Sequence, residues 1–215
     1  MLTDLLILCS ANLPTGSFSY SQGLESAIEK GFVSDISKLE QYLRTCVECN
    51  LVRTDLPLLK RLYLSDDKES FRYWSEYVLA IRNTKELRDE EKNKGLALKR
   101  LYFQFYKDDP LLNSLQTIPY LSVMARFCNK RNISLEQMLL GFTFCFIENQ
   151  CMAAIRLLSA GQSQAWQLID KIKLNLDEYI QQALLIKDDD IGSGLSALSI
   201  LSVLHERQYS RLFRS

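Results

Sequence analysis

Apolar side chains recur at three- and four-residue intervals along almost the whole chain, the spacing of a buried helix face. Four runs stand out, and each predicts an amphipathic helix. Their members are, in order, Leu39, Tyr42, Leu43, Cys46, Val47 and Leu51; Met138, Leu139, Phe142, Cys145 and Phe146, continuing towards Leu158; Trp166, Ile169, Ile172, Leu176, Tyr179, Ile180, Ala183 and Leu184, within 164–186; and Leu198, Leu201, Leu204 and Gln208, within 195–209.

Polar residues beside these runs predict where helices begin and end. Ser37-Lys-Leu-Glu40 has the spacing of a capping box, in which two side chains satisfy free amides at a helix start. Ser134 and Gln137 have the same spacing at the start of the second run. Gly161 is a natural stop for that helix.

Signals for β-strands are weak, because alternating β-branched runs bounded by tight turns are absent. Pro57 is predicted in the first turn of a helix, where its missing N–H costs little, and Pro110 and Pro119 are predicted between helices. The fold class is therefore all-α. We expect a single globular helical domain spanning residues 1–215, with about eight to ten helices at the usual helix lengths.

Composition changes this picture little but excludes some functions. Hydrophobic residues make up 47% of the 215 residues, as in a globular protein, and 26 basic side chains balance 26 acidic ones. A zero net charge gives no long-range attraction for nucleic acid or an anionic membrane. No signal peptide is predicted, since Asp4 stands where a basic region belongs. The apolar stretch 138–158 contains Glu148 and Arg156, so we expect a core helix and no membrane span.

The segment from Lys85 to Arg100 (KELRDEEKNKGLALKR) is rich in charge and predicts a helix. Glu90 and Lys94 are correctly ordered for an ion pair four residues apart. Such runs usually face solvent, and we expect the same here. The exception would be a face shaped for a charged partner.

Candidate catalytic groups are few. No phosphate-binding loop, GxGxxG, GxSxG or HExxH motif is present, and His205 is the sole histidine. Three aspartate clusters could in principle hold magnesium in a helical enzyme, but all lie between helical runs, where acids cap helices. They are Asp66-Asp67, Asp108-Asp109 and Asp188-Asp189-Asp190. Cys46 and Cys49 have redox or zinc spacing, yet they stand inside a helical run without a second such pair. We predict structural roles for all of these, and neither catalytic nor metal-binding residues.

Residues 205–215, which we call the tail, are the most distinctive segment. The tail reads His205-Glu-Arg-Gln-Tyr-Ser-Arg-Leu-Phe-Arg-Ser215 and contains three arginines and two aromatic residues. These residue types are enriched at the centres of protein interfaces. The tail is expected either to dock on its own domain or to await a partner.

Residues 13–25, which we call the front loop, form a second distinctive segment: Leu13-Pro-Thr-Gly-Ser-Phe-Ser-Tyr-Ser-Gln-Gly-Leu-Glu25. Pro14 and Gly16 indicate a turn, and Ser19 or Ser21 could cap the helix that follows. Gly23 costs about 1 kcal/mol relative to alanine in a helix. Its presence there is tolerable if another backbone approaches closely.

Together the two segments resemble the urease accessory protein UreF family. The resemblance begins at Leu5-Leu-Ile-Leu-Cys-Ser10, continues through the front loop and Gly31-Phe-Val33, and closes with the tail. Weaker matches between them are Glu86-Leu-Arg88, and Ala154-Ile-Arg-Leu157 followed by Gly161-Gln162. Asp89-Glu-Glu91 departs from the family, which often has small residues and a serine there.

The resemblance implies an all-α, dimeric, cytoplasmic protein with neither catalytic activity nor a cofactor. Its implied partners are UreD (also called UreH), the GTPase UreG and apo-urease, to which the assembly delivers nickel. The residues expected to bind partners are Gly16, Phe18, Tyr20, Gly23, Glu25, His205, Tyr209, Arg211, Leu212 and Phe213.

Three further hypotheses stay open at this stage. An arginine of the tail (Arg207, Arg211 or Arg214) could assist GTP hydrolysis by the partner, since arginines supplied in trans stabilise phosphoryl transfer. The protein could instead be a helical adaptor of another assembly. It could also be a metal-dependent helical enzyme that uses the aspartate clusters.

Overall fold

The computed structural model describes residues 2–10, 12–192 and 195–215, and no strand occurs in these ranges. Their twelve α-helical segments are α1 (Leu2–Leu8), α2 (Leu24–Glu29), α3 (Ile36–Cys46), α4 (Leu56–Leu64), α5 (Lys68–Ala80), α6 (Lys85–Phe105), α7 (Pro110–Asn113), α8 (Tyr120–Lys130), α9 (Leu135–Leu157), α10 (Gln162–Ile172), α11 (Leu176–Leu185) and α12 (Ser196–Glu206). A π-helical segment, Val47–Asp55, joins α3 to α4, and a 3-10 turn, Lys173–Asn175, joins α10 to α11. These described residues thus form ten continuous helices, which confirms the predicted all-α fold.

Helix α8 lies at the centre, packed between α4 and α6. It contributes a run of buried side chains that includes Val123, Met124 and Phe127, and Leu58 and Leu62 of α4 are also buried. Removing this apolar surface from water is the main force that holds the layers together.

The crossing of α6 and α8 depends on Gly95. A Cβ atom at this position would lie 2.1 Å from the carbonyl oxygen of Ile118 and 2.8 Å from the carbonyl carbon of Pro119. The nearby Glu91 side chain accepts a hydrogen bond from the backbone N–H of Leu121, at 2.9 Å, in the first turn of α8. Helix α6 therefore both touches the start of α8 and satisfies one of its free amides.

Helix α9 is the long apolar helix that the sequence predicts. Ser134 and Gln137 form the predicted capping box. By length and composition α9 is the one helix among the described residues that could cross a membrane, but half of the residues in its apolar 18-residue stretch are buried inside the protein. It packs against α1, α2, α4, α10 and α11, as expected of a core helix.

Several predicted helix details were wrong. Helix α9 ends at Leu157, Ser159 takes the left-handed conformation (φ 52°), and Gly161 precedes α10. Asp35, not Ser37, caps α3, since its carboxylate accepts from the N–H of Lys38. Trp166, expected in the core, is 65% exposed. The spacing of residue types along the chain does not determine the exact ends of a helix or which of its side chains the neighbouring helices cover.

The phase of α12 also differs from the prediction. Its buried residues are Leu201, Ser202 and His205, while Leu204 is half-buried and Gln208 lies beyond the helix end. The side chain of Ser202 shares a hydrogen bond with Thr84, the residue that caps α6, at 2.7 Å. A polar contact with α6 thus turns this face of α12 inward.

One residue of each aspartate cluster has a structural contact of the predicted kind. Asp67 caps α5. Asp109 is fully buried, caps α7 and accepts two hydrogen bonds from the guanidinium of Arg126, at 2.8 and 3.0 Å. Burial raises the pKa of Asp109, but hydrogen bonds from Arg126 and Tyr102 outweigh it and hold the pKa below its ordinary value. Asp188 pairs with Arg61 at 2.6 Å.

The predicted inert role of the Cys46–Cys49 pair fits its surroundings. Cys46 is buried at the end of α3, and burial raises the pKa of its thiol to about 12. A thiol in this state is a weak nucleophile near neutral pH. The pair lies on a continuous helix and not after a strand.

Cys9 differs from the other cysteines because a hydrogen bond from the Cys145 thiol lowers its pKa. Burial, in contrast, raises the pKa of Cys128 and of Cys151 to about 12. Under limiting iodoacetamide at neutral pH we therefore expect Cys9 to be alkylated before Cys128 and Cys151, as read by peptide mass spectrometry. Cys145→Ala should slow this alkylation severalfold. Equal rates at Cys9, Cys128 and Cys151 would contradict the prediction.

Candidate functional site

The front loop needs glycine at two places. Gly16 (φ 71°) turns the chain into a 3-10 turn, Ser17–Ser19, and Gly23 (φ 88°) immediately precedes α2. A Cβ atom on Gly23 would lie 3.1 Å from Cβ of Leu201 in α12. The expected close approach of another backbone is not found, since the nearest backbone atom, the carbonyl oxygen of Leu198, would lie 3.9 Å from this Cβ. Gly23 is needed instead for its positive φ and for its contact with the Leu201 side chain of the helix that leads into the tail.

Glu25 binds the tail directly. It lies in the first turn of α2, and its side chain is buried. Its carboxylate accepts hydrogen bonds from Nε2 of His205 (3.0 Å) and from the backbone N–H groups of Leu212 (2.7 Å) and Phe213 (2.9 Å). One buried carboxylate thus holds the tail at three points.

His205 lies between two carboxylates and is 0% exposed. Its Nδ1 is 3.0 Å from Oε2 of Glu86, on α6, while its Nε2 faces Glu25. The other oxygen of Glu86 accepts from Nη1 of Arg211 at 3.0 Å. Glu25, His205, Glu86 and Arg211 form one connected chain of ionisable side chains, which we call the tail clamp.

The end of the tail returns to the front loop. The main-chain oxygen of Ser215 accepts from the N–H groups of Ser21 (2.7 Å) and Gln22 (3.0 Å), and the N–H of Arg214 donates to the carbonyl of Ser19 (2.8 Å). The hydroxyl of Ser215 donates to Glu90 at 3.0 Å. Of the two arrangements expected for the tail, the structure therefore has the self-docked one.

The expected solvent-facing role of the segment from Lys85 to Arg100 is wrong for its acidic residues. Glu90 and Glu91 are buried, and the Glu86 side chain is only 9% exposed. The predicted ion pair between Glu90 and Lys94 is present at 3.1 Å. The acidic face of α6 is covered because the tail and the front loop supply its hydrogen-bond donors.

The predicted partner-binding residues divide into two groups. Five are buried within the chain itself, and their contacts hold the tail and front loop together: Tyr20, Gly23, Glu25, His205 and Phe213. The outward-facing group consists of Phe18, Tyr209, Arg211 and Leu212, and Gly16 is half-buried. Binding of partners by either group stays a prediction.

Sequence reasoning missed Glu86, Glu90 and Ser215 as parts of this site. The family-like triplet Glu86-Leu-Arg88 was a usable signal, because it lies in the same charge-rich segment. The arginines Arg207, Arg211 and Arg214 are all exposed, and their role in GTP hydrolysis remains a hypothesis.

The chemistry of the site is that of a structural clamp. Its carboxylates accept hydrogen bonds from the tail, and each ionisable side chain of the clamp has a partner at close range. Among the described residues, no group of three histidine, cysteine or acidic side chains could hold a metal ion. Fold and site together define an all-helical protein that presents a self-docked C-terminal tail.

Comparison with known proteins identifies the family. The UreF family model matches residues 33–173. The urease accessory protein UreF of Pseudomonas putida is 41% identical over 219 residues, which cover 100% of this chain and 97% of the relative. Those of Klebsiella pneumoniae (40%, covering 98% and 96%) and Chromohalobacter salexigens (37%, covering 100% and 94%) are also similar. The chain belongs to the UreF family of urease accessory proteins, which confirms the resemblance.

Proposed function

We propose that this protein is a non-catalytic adaptor in urease maturation. It acts as a cytoplasmic homodimer that binds UreD, recruits and regulates the GTPase UreG, and enables the assembly to insert nickel into apo-urease. Nickel is the cargo of that assembly and not a resident cofactor. The observation that carries the proposal is the docked tail. Its backbone is hydrogen-bonded to the rest of the domain, while the side chains of Tyr209, Arg211 and Leu212 are exposed.

Several features of the tail suit it to binding a partner. Tyr209 is fully exposed and Leu212 is 61% exposed, although His205, Phe213 and Ser215 of the same tail are buried. Phe18 of the front loop is also exposed. Because Glu25 already binds the amides of Leu212 and Phe213, ordering this surface costs less entropy when a partner arrives.

The first test is size-exclusion chromatography with light scattering. The protein is run alone, with UreD, and with UreD plus UreG and GTP. A dimeric core that elutes together with both partners supports the proposal. Separate elution in the presence of folded partners contradicts it and favours a helical adaptor of another assembly.

The outward side chains should matter for complex formation. The double variant Tyr209→Ser, Leu212→Ser removes two exposed apolar groups, so we expect a loss of about 2 kcal/mol, or roughly thirtyfold in Kd for UreD or for the UreD–UreG pair. Surface plasmon resonance measures this, and the melting temperature should be unchanged.

The matched control is Tyr73→Ser, Leu64→Ser, which removes a tyrosine and a leucine of substantial exposure on α5 and α4. We expect little change in partner affinity for the control. Equal affinities for the two double variants would remove the tail surface from the interface.

A further inference from the structure

We propose that docking of the tail is coupled to a proton on the imidazole of His205. In the docked arrangement this ring bridges Glu25 of α2 and Glu86 of α6 as an imidazolium. Loss of the proton loosens the tail clamp and lets the tail leave the domain. The coupling is a property of this chain and needs no partner protein.

The contacts of His205 need a hydrogen-bond donor at each ring nitrogen. An ionised carboxylate only accepts, and a neutral imidazole has one N–H and one bare nitrogen. His205 has a carboxylate oxygen 3.0 Å from each ring nitrogen. Both contacts are hydrogen bonds only when both nitrogens carry a proton. In the neutral ring, one lone pair would face a carboxylate oxygen without a proton between them.

The charge balance at the clamp also favours a protonated ring. The groups that face the ring are Glu25 from α2 and Glu86 from α6, and Arg211 of the tail pairs with Glu86. On α12 itself, the Glu206 carboxylate lies 3.4 Å from the backbone nitrogen of Glu86. With a protonated His205 the four-membered clamp is neutral. Without that proton, a net negative charge stays in a site where the ring is completely buried.

The clamp holds the tail backbone as well as the ring. Glu25 uses the same carboxylate to bind His205 and the amides of Leu212 and Phe213. A displaced His205 therefore disturbs the acceptor that orders the following residues. Because the docked tail favours the protonated ring, lowering the pH strengthens docking and raising the pH weakens it.

The test uses the fact that His205 is the only histidine in the chain. The full-length protein is labelled with ¹⁵N-histidine, and the NMR shifts of its two ring nitrogens are followed from pH 6 to 9. In a parallel experiment, the amide hydrogen exchange of Leu212 and Phe213 is measured and corrected for intrinsic pH dependence. We expect two protonated ring nitrogens at pH 6. Corrected exchange should rise by about tenfold or more as the ring loses its proton, because charge-assisted hydrogen bonds are lost.

Two variants separate this coupling from general loosening. Glu86→Gln offers the ring a side-chain amide that can donate or accept, so the pH dependence of tail exchange should largely disappear. His205→Gln can donate at only one end, so its tail should exchange faster at every pH. A ring with a single protonated nitrogen in the docked state at pH 6 would overturn the proposal. The proposal would also be overturned if amide exchange in the wild-type tail stayed constant while His205 lost its proton. Both of these outcomes are measured on the wild-type protein alone.

Discussion

Replacing Glu25 with alanine is expected to lower the free energy of unfolding by about 3–5 kcal/mol and to release the tail, because it removes the one carboxylate that accepts three hydrogen bonds from the tail. His205 and the N–H groups of Leu212 and Phe213 would all lose their acceptor. Each is a donor that folding has removed from water. Urea denaturation measures the loss of stability, and tryptic cleavage after Arg211 reports release of the tail.

Two variants make the Glu25 result specific. Glu29→Ala changes an exposed acid on the same helix, so its stability should stay within about 0.5 kcal/mol of wild type. Glu25→Gln keeps one acceptor oxygen and should give an intermediate loss. If Glu25→Ala and Glu29→Ala have equal stability and equal resistance to trypsin, the tail is not held by the Glu25 carboxylate.

Replacing Gly95 with alanine is expected to lower the free energy of unfolding by about 2–3 kcal/mol or more, the cost of forcing atoms into a filled space. Helix propensity alone predicts the opposite sign, a gain of about 1 kcal/mol. The new Cβ would lie 2.1 Å from the carbonyl oxygen of Ile118, and backbone atoms cannot rotate away as a side-chain end can. Helix α6 and the start of α8 must therefore separate. Thermal and urea unfolding measure the effect.

The control for Gly95 lies two residues earlier on the same helix. Asn93 is exposed, so Asn93→Ala should stabilise the protein slightly, by about 0.5 kcal/mol, through helix propensity alone. Gly95→Ala and Asn93→Ala should thus shift stability in opposite directions. A Gly95→Ala protein as stable as wild type would mean that α6 and α8 do not meet as closely as described.

The sequence by itself determined the parts of this protein that depend on neighbours three or four residues away. The apolar spacing predicted the helical runs, and Ser134 and Gln137 predicted the start of α9. The front loop and the tail, read together, predicted the UreF family. These features are local because a helix satisfies its own backbone hydrogen bonds and shows its buried face as a period of 3.6.

Only the tertiary structure decided which charged residues are buried. Glu86 and Glu90 lie in a segment whose composition is typical of a solvent-exposed helix, and their partners in the tail are more than a hundred residues away. Trp166 shows the converse, since it follows an apolar pattern and yet faces solvent. A buried charge is stable only when distant residues supply its hydrogen bonds. Such long-range pairing leaves no periodic mark in the sequence, so the tail clamp emerged only from the folded chain.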